Sequence, residues 1–142
     1  MNYTAIEVAK YIISSCFEKK KPISNLKLQK LLYFAWIYYY KKTERFLFSD
    51  DICAWQFGPV VPAVYYEYCS YAGMPISMKY STDISKEDAQ LLERFIEKYV
   101  FYAASTLVEK THTEGKPWSL IFQNGIGNRD VIPQSLIIEK EC

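Results

Sequence analysis

Ser24-Asn-Leu-Lys-Leu-Gln-Lys-Leu-Leu-Tyr-Phe-Ala-Trp-Ile-Tyr-Tyr-Tyr-Lys-Lys42 is the stretch that decides the fold. From Leu31 to Tyr40 it holds ten consecutive apolar or aromatic residues with no Gly, no Pro and no charge. A bilayer crossing asks for roughly 20 such residues, so the run is too short to span one. It is also too long, and too rich in Leu and Ala, for an ordinary buried strand. Ser24 offers a hydroxyl to the orphan amides of a first helical turn, and Lys41 and Lys42 stand where a helix C-terminus favours positive charge. A helix that is apolar on every side has to be wrapped by other elements. The expectation is a mainly α, compact helical domain built around this one buried helix.

The rest of the composition limits the partners. The 142 residues suffice for one domain, 1–142, with a real core and no need of disulfides or metal. Seventeen basic and sixteen acidic side chains give a net charge of +1. That balance lacks the basic excess on which nucleic-acid or membrane-surface binding rests. Aromatic content is high, with thirteen Tyr, eight Phe and three Trp. Tyr combines a large ring with a polar tip, so this many point to a contact surface as well as to core. Cys16, Cys53, Cys69 and Cys142 form no C-x-x-C pair, and the single histidine cannot complete a zinc site with them. Three of the four lie in apolar patterns and are expected to be buried. Without a signal-like start, the chain is expected in a reducing cytoplasm.

Along the chain, Thr4-Ala-Ile-Glu7 is a capping box that opens a helix with an apolar face of Ala5, Ala9, Ile12, Ile13, Cys16 and Phe17. Lys19–Lys21 and Pro22 close it. Beyond the central helix, Arg45–Phe48 and Ile52–Phe57 flank a polar turn at Ser49-Asp50-Asp51, which predicts a small β-hairpin or irregular strand pair near residues 45–57, broken by Gly58-Pro59. Pro62 suits the first turn of a helix with Val61, Val64, Tyr65 and Tyr68 inward. Ile76 to Thr82 is a polar connector. Ser85-Lys-Glu-Asp88 caps a strongly amphipathic helix, Leu92, Phe95, Ile96 and Tyr99 inside and Glu93, Arg94, Glu97 and Lys98 outside. Ser105 is expected to cap a shorter helix to about His112. Trp118 to Phe122 is an apolar turn, Gln123 to Asp130 a loop, and Pro133 opens a last helix.

No constellation in this pattern commits to catalysis. His112 has Glu109, Thr111 and Glu114 nearby in sequence, but no cysteine is placed beside it, and a lone His at a helix end more often caps carbonyls or joins a polar network. Asp50/Asp51 and Glu87/Asp88 are sequence neighbours, and neighbours on a helix do not face each other. Gly125-Ile-Gly127 lacks the strand, third glycine and Lys-Ser/Thr of a phosphate loop. The helix after Gly58-Pro59 is apolar where a DNA-recognition helix would carry Arg, Lys, Asn or Gln. Trp55-Gln-Phe-Gly-Pro-Val-Val-Pro62 suits a tight corner in which one backbone approaches another and an indole fills the gap.

Three blocks, taken together and in order, resemble the Panacea domain, the family of SocA-like antitoxins and phage-associated proteins. They are Leu28-Gln-Lys-Leu-Leu-Tyr-Phe-Ala35; Ala54-Trp55 with Gly58-Pro-Val-Val-Pro62 and Val64-Tyr65; and Thr111-His112, Glu114 and Pro117-Trp118. One spacing departs, with two residues between Glu114 and Pro117 where many members have fewer. The resemblance implies a helical domain that acts by binding a cognate toxin encoded beside it, without catalytic residue, cofactor or metal. One type within the family is an adaptor that delivers its toxin to a protease. Some members carry a DNA-binding module, for which this chain has no room, so no nucleic acid and no membrane is expected among its partners. It also implies a shared scaffold of Gln29, Lys30, Tyr33, Trp55, Gly58, Pro59, Tyr65, Thr111, His112, Glu114, Pro117 and Trp118. Lys30, Tyr33, His112 and Glu114 are expected to form a polar cluster near the Trp55–Pro59 turn. The partner surface is expected at Tyr38, Tyr39 and Tyr40 or at Tyr65, Tyr66 and Tyr68. Competing readings are an accessory protein of phage or prophage that binds and inhibits or redirects a host protein, and a hydrolase built on His112 with Glu114.

Overall fold

Helix α2 (Asn25–Thr43) runs through the middle of the computed structural model, which describes residues 3–142. No residue from Leu28 to Tyr40 is exposed. Five helices and one strand press on α2 from different sides: α1 (Ala5–Glu18), α3 (Pro62–Tyr68), α4 (Lys86–Tyr99), α5 (Ala104–Thr111), α7 (Gln134–Glu141) and β2 (Gly58–Val60). That is the enclosure its composition demands. Ser24 caps it through the Lys27 amide (3.2 Å), and Glu44, in the left-handed region at φ 57°, ends it. Trp36 is fully buried yet satisfied, its indole N–H donating to the Phe48 carbonyl at 3.0 Å.

Around this helix the fold is mainly α, with seven helices and one two-stranded sheet among the described residues. The capping box of α1 forms as written: Glu7 N–H donates to Thr4 Oγ1 (3.2 Å) and Thr4 N–H to Glu7 Oε1 (3.0 Å). Its inner face contains Val8 in place of the expected Phe17, which is partly exposed. Ser85 caps α4 through the Asp88 amide, and Leu92, Phe95 and Ile96 are buried as the amphipathic pattern predicts. Glu93, expected outside, instead receives Lys19 Nζ (2.6 Å), Ser15 Oγ (2.6 Å) and Tyr11 Oη (2.9 Å), tying α4 to α1. The connector after α3, expected to be polar, is pinned to the core at its first residue. Ile76 is fully buried and its amide reaches the Ile23 carbonyl (2.8 Å), while the Tyr80 amide reaches Ser14 Oγ (2.7 Å). The N-cap of α5 is Ala103, not Ser105, and residues 117–122 form a short helix α6 (Pro117–Phe122) rather than a turn.

The strand pair lies one turn later than expected. Residues 45–48 form no strand; Leu47 and Phe48 are buried, and a single bridge joins Phe48 to Tyr3. Asp50, expected in a hairpin turn, accepts the Ala5 amide at 2.9 Å and so helps start α1. The hairpin is β1 (Cys53–Trp55) antiparallel to β2, in register Cys53↔Val60, Ala54↔Pro59 and Trp55↔Gly58. Gly58-Pro59 is therefore inside the sheet. Pro59 is tolerated because its partner Ala54 turns its own amide and carbonyl the other way, to Asp130 O (2.8 Å) and Arg129 N (2.6 Å). Cys16 and Cys53 are buried as expected, whereas Cys69 and Cys142 are exposed; all four are free thiols.

Leu32 is fully buried on α2 and Leu26 is partly exposed in its first turn. Leu32→Ala should lower the unfolding free energy in urea by about 2–5 kcal/mol, the range for a buried leucine truncation, with Leu26→Ala costing under about 1 kcal/mol.

Candidate functional site

The first two turns of α2 carry three polar side chains, Asn25, Gln29 and Lys30, into the interior. Gln29 is 1% exposed and Lys30 is 0% exposed. The Gln29 carboxamide accepts the Val61 amide on Oε1 (2.9 Å) and donates to Asn25 Oδ1 (3.0 Å); Asn25 in turn donates to the Tyr65 carbonyl (3.1 Å). Lys30 Nζ donates to the Pro59 carbonyl at 2.7 Å. Two adjacent side chains of the central helix thus grip the backbone of β2 and the start of α3. Gly58, at φ +112°, allows the approach: a Cβ there would lie 2.7 Å from Thr111 Oγ1 and 2.8 Å from Lys30 Cε. Thr111 is buried and returns its hydroxyl to the Val108 carbonyl (2.7 Å).

The other side of the corner is closed by rings. His112 follows α5 and lies flat on Trp118, with centroids 3.8 Å apart and planes 3° from parallel; Trp118 stacks in turn on Phe122 at 4.6 Å. Trp118 Nε1 donates to the Trp55 carbonyl (2.7 Å), and Pro117, buried, opens α6 just before it. His112 Nε2 is buried without a hydrogen-bond partner among the described residues. Burial, then the charge of Lys30, lowers its pKa and so favours the neutral ring. Burial also pushes the Lys30 ammonium down to about 7.

The expected four-residue polar cluster divides. Lys30 and His112 face the hairpin. The Tyr33 hydroxyl instead donates to Glu141 Oε2 at the end of α7 (2.9 Å), and Glu114 is exposed, lining with His112 an open cleft beside Trp118. Glu141, as the partner of Tyr33, carries no local sequence signal. The tyrosines expected at a partner surface also separate. Tyr39 and Tyr68 are each 2% exposed and unavailable to a partner. Burial, with Asp88 as hydrogen-bond partner, pushes the Tyr39 hydroxyl up to about 12, and Tyr68 donates to the Tyr80 hydroxyl (3.1 Å). Tyr38 and Tyr40 are half-buried, packed on Phe95 and Trp36. Tyr66 alone of these is open, at 57%.

Tyr66 stands beside a cleft of about 450 Å³ between the hairpin tip, the first turn of α2 and α3, lined among others by Gln29, Trp55, Phe57, Tyr65 and Arg129. Trp55 meets Tyr65 edge-on at 4.9 Å, and the Arg129 guanidinium lies 4.3 Å from the Trp55 ring centroid. Phe57, at the turn, is 60% exposed. Phe57 and Arg129 were not singled out by sequence; their role follows from the turn position and from a loop far along the chain. This is an aromatic surface with a cation at its edge, mounted on a corner fixed by buried hydrogen bonds.

Residues 28–119 match the family model of the antitoxin SocA-like, Panacea domain. The chain belongs to that family. It is also 36% identical over 135 residues to the curated protein "Antitoxin SocA" of Caulobacter vibrioides (strain NA1000 / CB15N), covering 84% of this chain and 70% of that protein. No solved structure matches it. The stretch matched by the Panacea model runs from α2 to α6, and so contains the Gln29–Lys30 grip, Gly58-Pro59 and the His112–Trp118 stack.

Lys30 makes stability depend on pH. Its folded pKa of about 7 lies below the ordinary 10.5. The cost of burying the ammonium is therefore complete below pH 7, falls away as pH rises through that value, and is absent above 10.5. The raised thiol of Cys16 acts the opposite way above its ordinary value of 9.0, so the window for Lys30 is from about 7 to 8.5. Wild-type unfolding free energy should rise there with a slope approaching about 1.4 kcal/mol per pH unit, and Lys30→Met should remove that slope in urea titrations run at several pH values. At the hairpin, Gly58→Ala combines a steric clash with an unfavourable φ and should cost more than about 1 kcal/mol in the same assay.

Proposed function

We propose that this protein is an antitoxin: it neutralises a cognate protein toxin by direct binding and performs no catalysis of its own. The observation that carries the reading is the similarity to Antitoxin SocA across 84% of the chain. The geometry is consistent with a binding role. Gln29, Lys30 and Trp118 direct their polar atoms into backbone contacts, at Val61, Pro59 and Trp55, that fix the corner. His112, the one histidine, is stacked on Trp118, and among the described residues no hydrogen bond joins it to its sequence neighbour Glu114, the contact that acid–base work uses. What such a body offers a partner is a rigid surface with ordered aromatic side chains, the residue types that concentrate binding energy.

The finer reading is that binding hands the toxin to a cytoplasmic protease. Among the described residues no helix is long and apolar enough to cross a membrane, which fits work on soluble partners. Co-expression with a candidate toxin encoded beside this protein tests both levels. Growth should be restored, and the two proteins should co-purify. If the adaptor reading is right, the toxin's half-life should shorten only when this chain is present. Restored growth with an unchanged toxin half-life favours plain occlusion. Failure both to bind and to restore growth removes the antitoxin reading in favour of a different protein target.

A further inference from the structure

The cleft at the hairpin tip has a chemistry that selects its occupant. Its lining is aromatic on one side, with Trp55, Phe57 and Tyr65, and mixes apolar residues with the carboxamides of Gln56 and Asn128 elsewhere. The carboxamides of Asn25 and Gln29 at its base are already hydrogen-bonded to each other and to the Tyr65 and Val61 backbone. Among the described residues one charged group, Arg129, lines it, and no carboxylate does. Arg129 forms no ion pair among the described residues; its guanidinium rests on the Trp55 ring and reaches the Tyr66 hydroxyl at 3.3 Å. That stacking orders the cation in advance and leaves further N–H donors for a carboxylate, which a planar guanidinium binds in a fork. The first turn of α2 opens onto the same cleft and carries no acidic side chain, so the positive end of a 19-residue helix adds to the field. At the mouth, Phe57 and Tyr66 are large rings left in solvent, 60% and 57% exposed.

We propose that this cleft is the docking site for a segment of the partner protein that presents an aromatic or large aliphatic side chain next to an Asp or Glu. The apolar side chain enters between Trp55, Phe57 and Tyr65, and the carboxylate meets Arg129. The volume of about 450 Å³ suits one or two side chains and not a folded element. Charge selects against a basic segment, which would bring a second cation against Arg129 with no anion to separate them. The identity of the occupant as a toxin rests on the antitoxin reading; the apolar-plus-acidic chemistry rests on the cleft alone.

A random dodecapeptide display library selected on the full chain tests the chemistry directly. Enriched peptides should pair Trp, Tyr, Phe or Leu with Asp or Glu within one or two positions. Their affinity should fall at least about tenfold on Arg129→Glu and on Phe57→Ala, both surface changes expected to keep the wild-type melting temperature, with Arg129→Lys retaining part of it. Enrichment of basic peptides, enrichment of peptides that bind Arg129→Glu as well as wild type, or no enrichment each overturns the proposal. So does Arg129-dependent binding of an oligothymidylate in place of peptides, which would assign the cleft to single-stranded nucleic acid. The same variants in the co-expression assay separate the two readings. Neutralisation by wild type but not by Arg129→Glu supports docking here. Neutralisation by wild type and both variants sinks the docking site and leaves the antitoxin intact. No neutralisation by wild type sinks the antitoxin, while the peptide selection still judges the cleft.

Discussion

The structure depends on Lys30 having somewhere to put its ammonium. A lysine buried on every side is costly unless its donor is matched, and the matching group is the Pro59 carbonyl, 2.7 Å away. Proline at that position is part of the same solution. It has no amide to satisfy, it stands opposite Ala54, whose own hydrogen bonds point elsewhere, and its carbonyl is free to face α2. Gly58 before it removes the Cβ that would strike Lys30 and Thr111. Gln29, one residue earlier on the helix, holds the Val61 amide and so sets the entry to α3. Three residues of a strand and the start of a helix are thereby fixed to the core helix by side chains that would be expensive to leave unpaired.

The surface follows from that anchoring. With the hairpin held at its base, the turn at Gln56-Phe57 projects outward, and Trp55 is kept half-buried by Tyr65 on one side and Arg129 on the other. The stack of His112, Trp118 and Phe122 packs on the opposite flank, with the Trp118 indole bonded to the Trp55 carbonyl. Residues that look like a catalytic or polar cluster in one dimension are divided in three between scaffold (Lys30, His112), a link to the C-terminal helix (Tyr33 with Glu141) and open surface (Glu114). The exposed aromatic face and the buried polar grip are two consequences of one corner.

What the sequence by itself determined is the part governed by local chemistry and period. The unbroken apolar run of α2, the Thr4–Glu7 box, the Ser24 and Ser85 caps and the inner face of α4 all act over a few residues, so they are legible without neighbours in space. The ordered motif blocks were legible as well, and with them the family. Tertiary structure alone decided the rest, because it turns on which distant groups meet. Asp50 had to meet the start of α1 before it ceased to be a hairpin turn, and Ala54 had to meet Arg129 and Asp130 before Pro59 was acceptable in a strand. Glu93, polar on an outward position, is drawn inward by Lys19, Ser15 and Tyr11 on a neighbouring helix. Tyr39 and Tyr66 have the same side chain; one is sealed in the core and the other left in solvent by packing that no local pattern encodes. The cleft joins residues from three separate parts of the chain, from Asn25 to Arg129, and only the folded backbone brings them together.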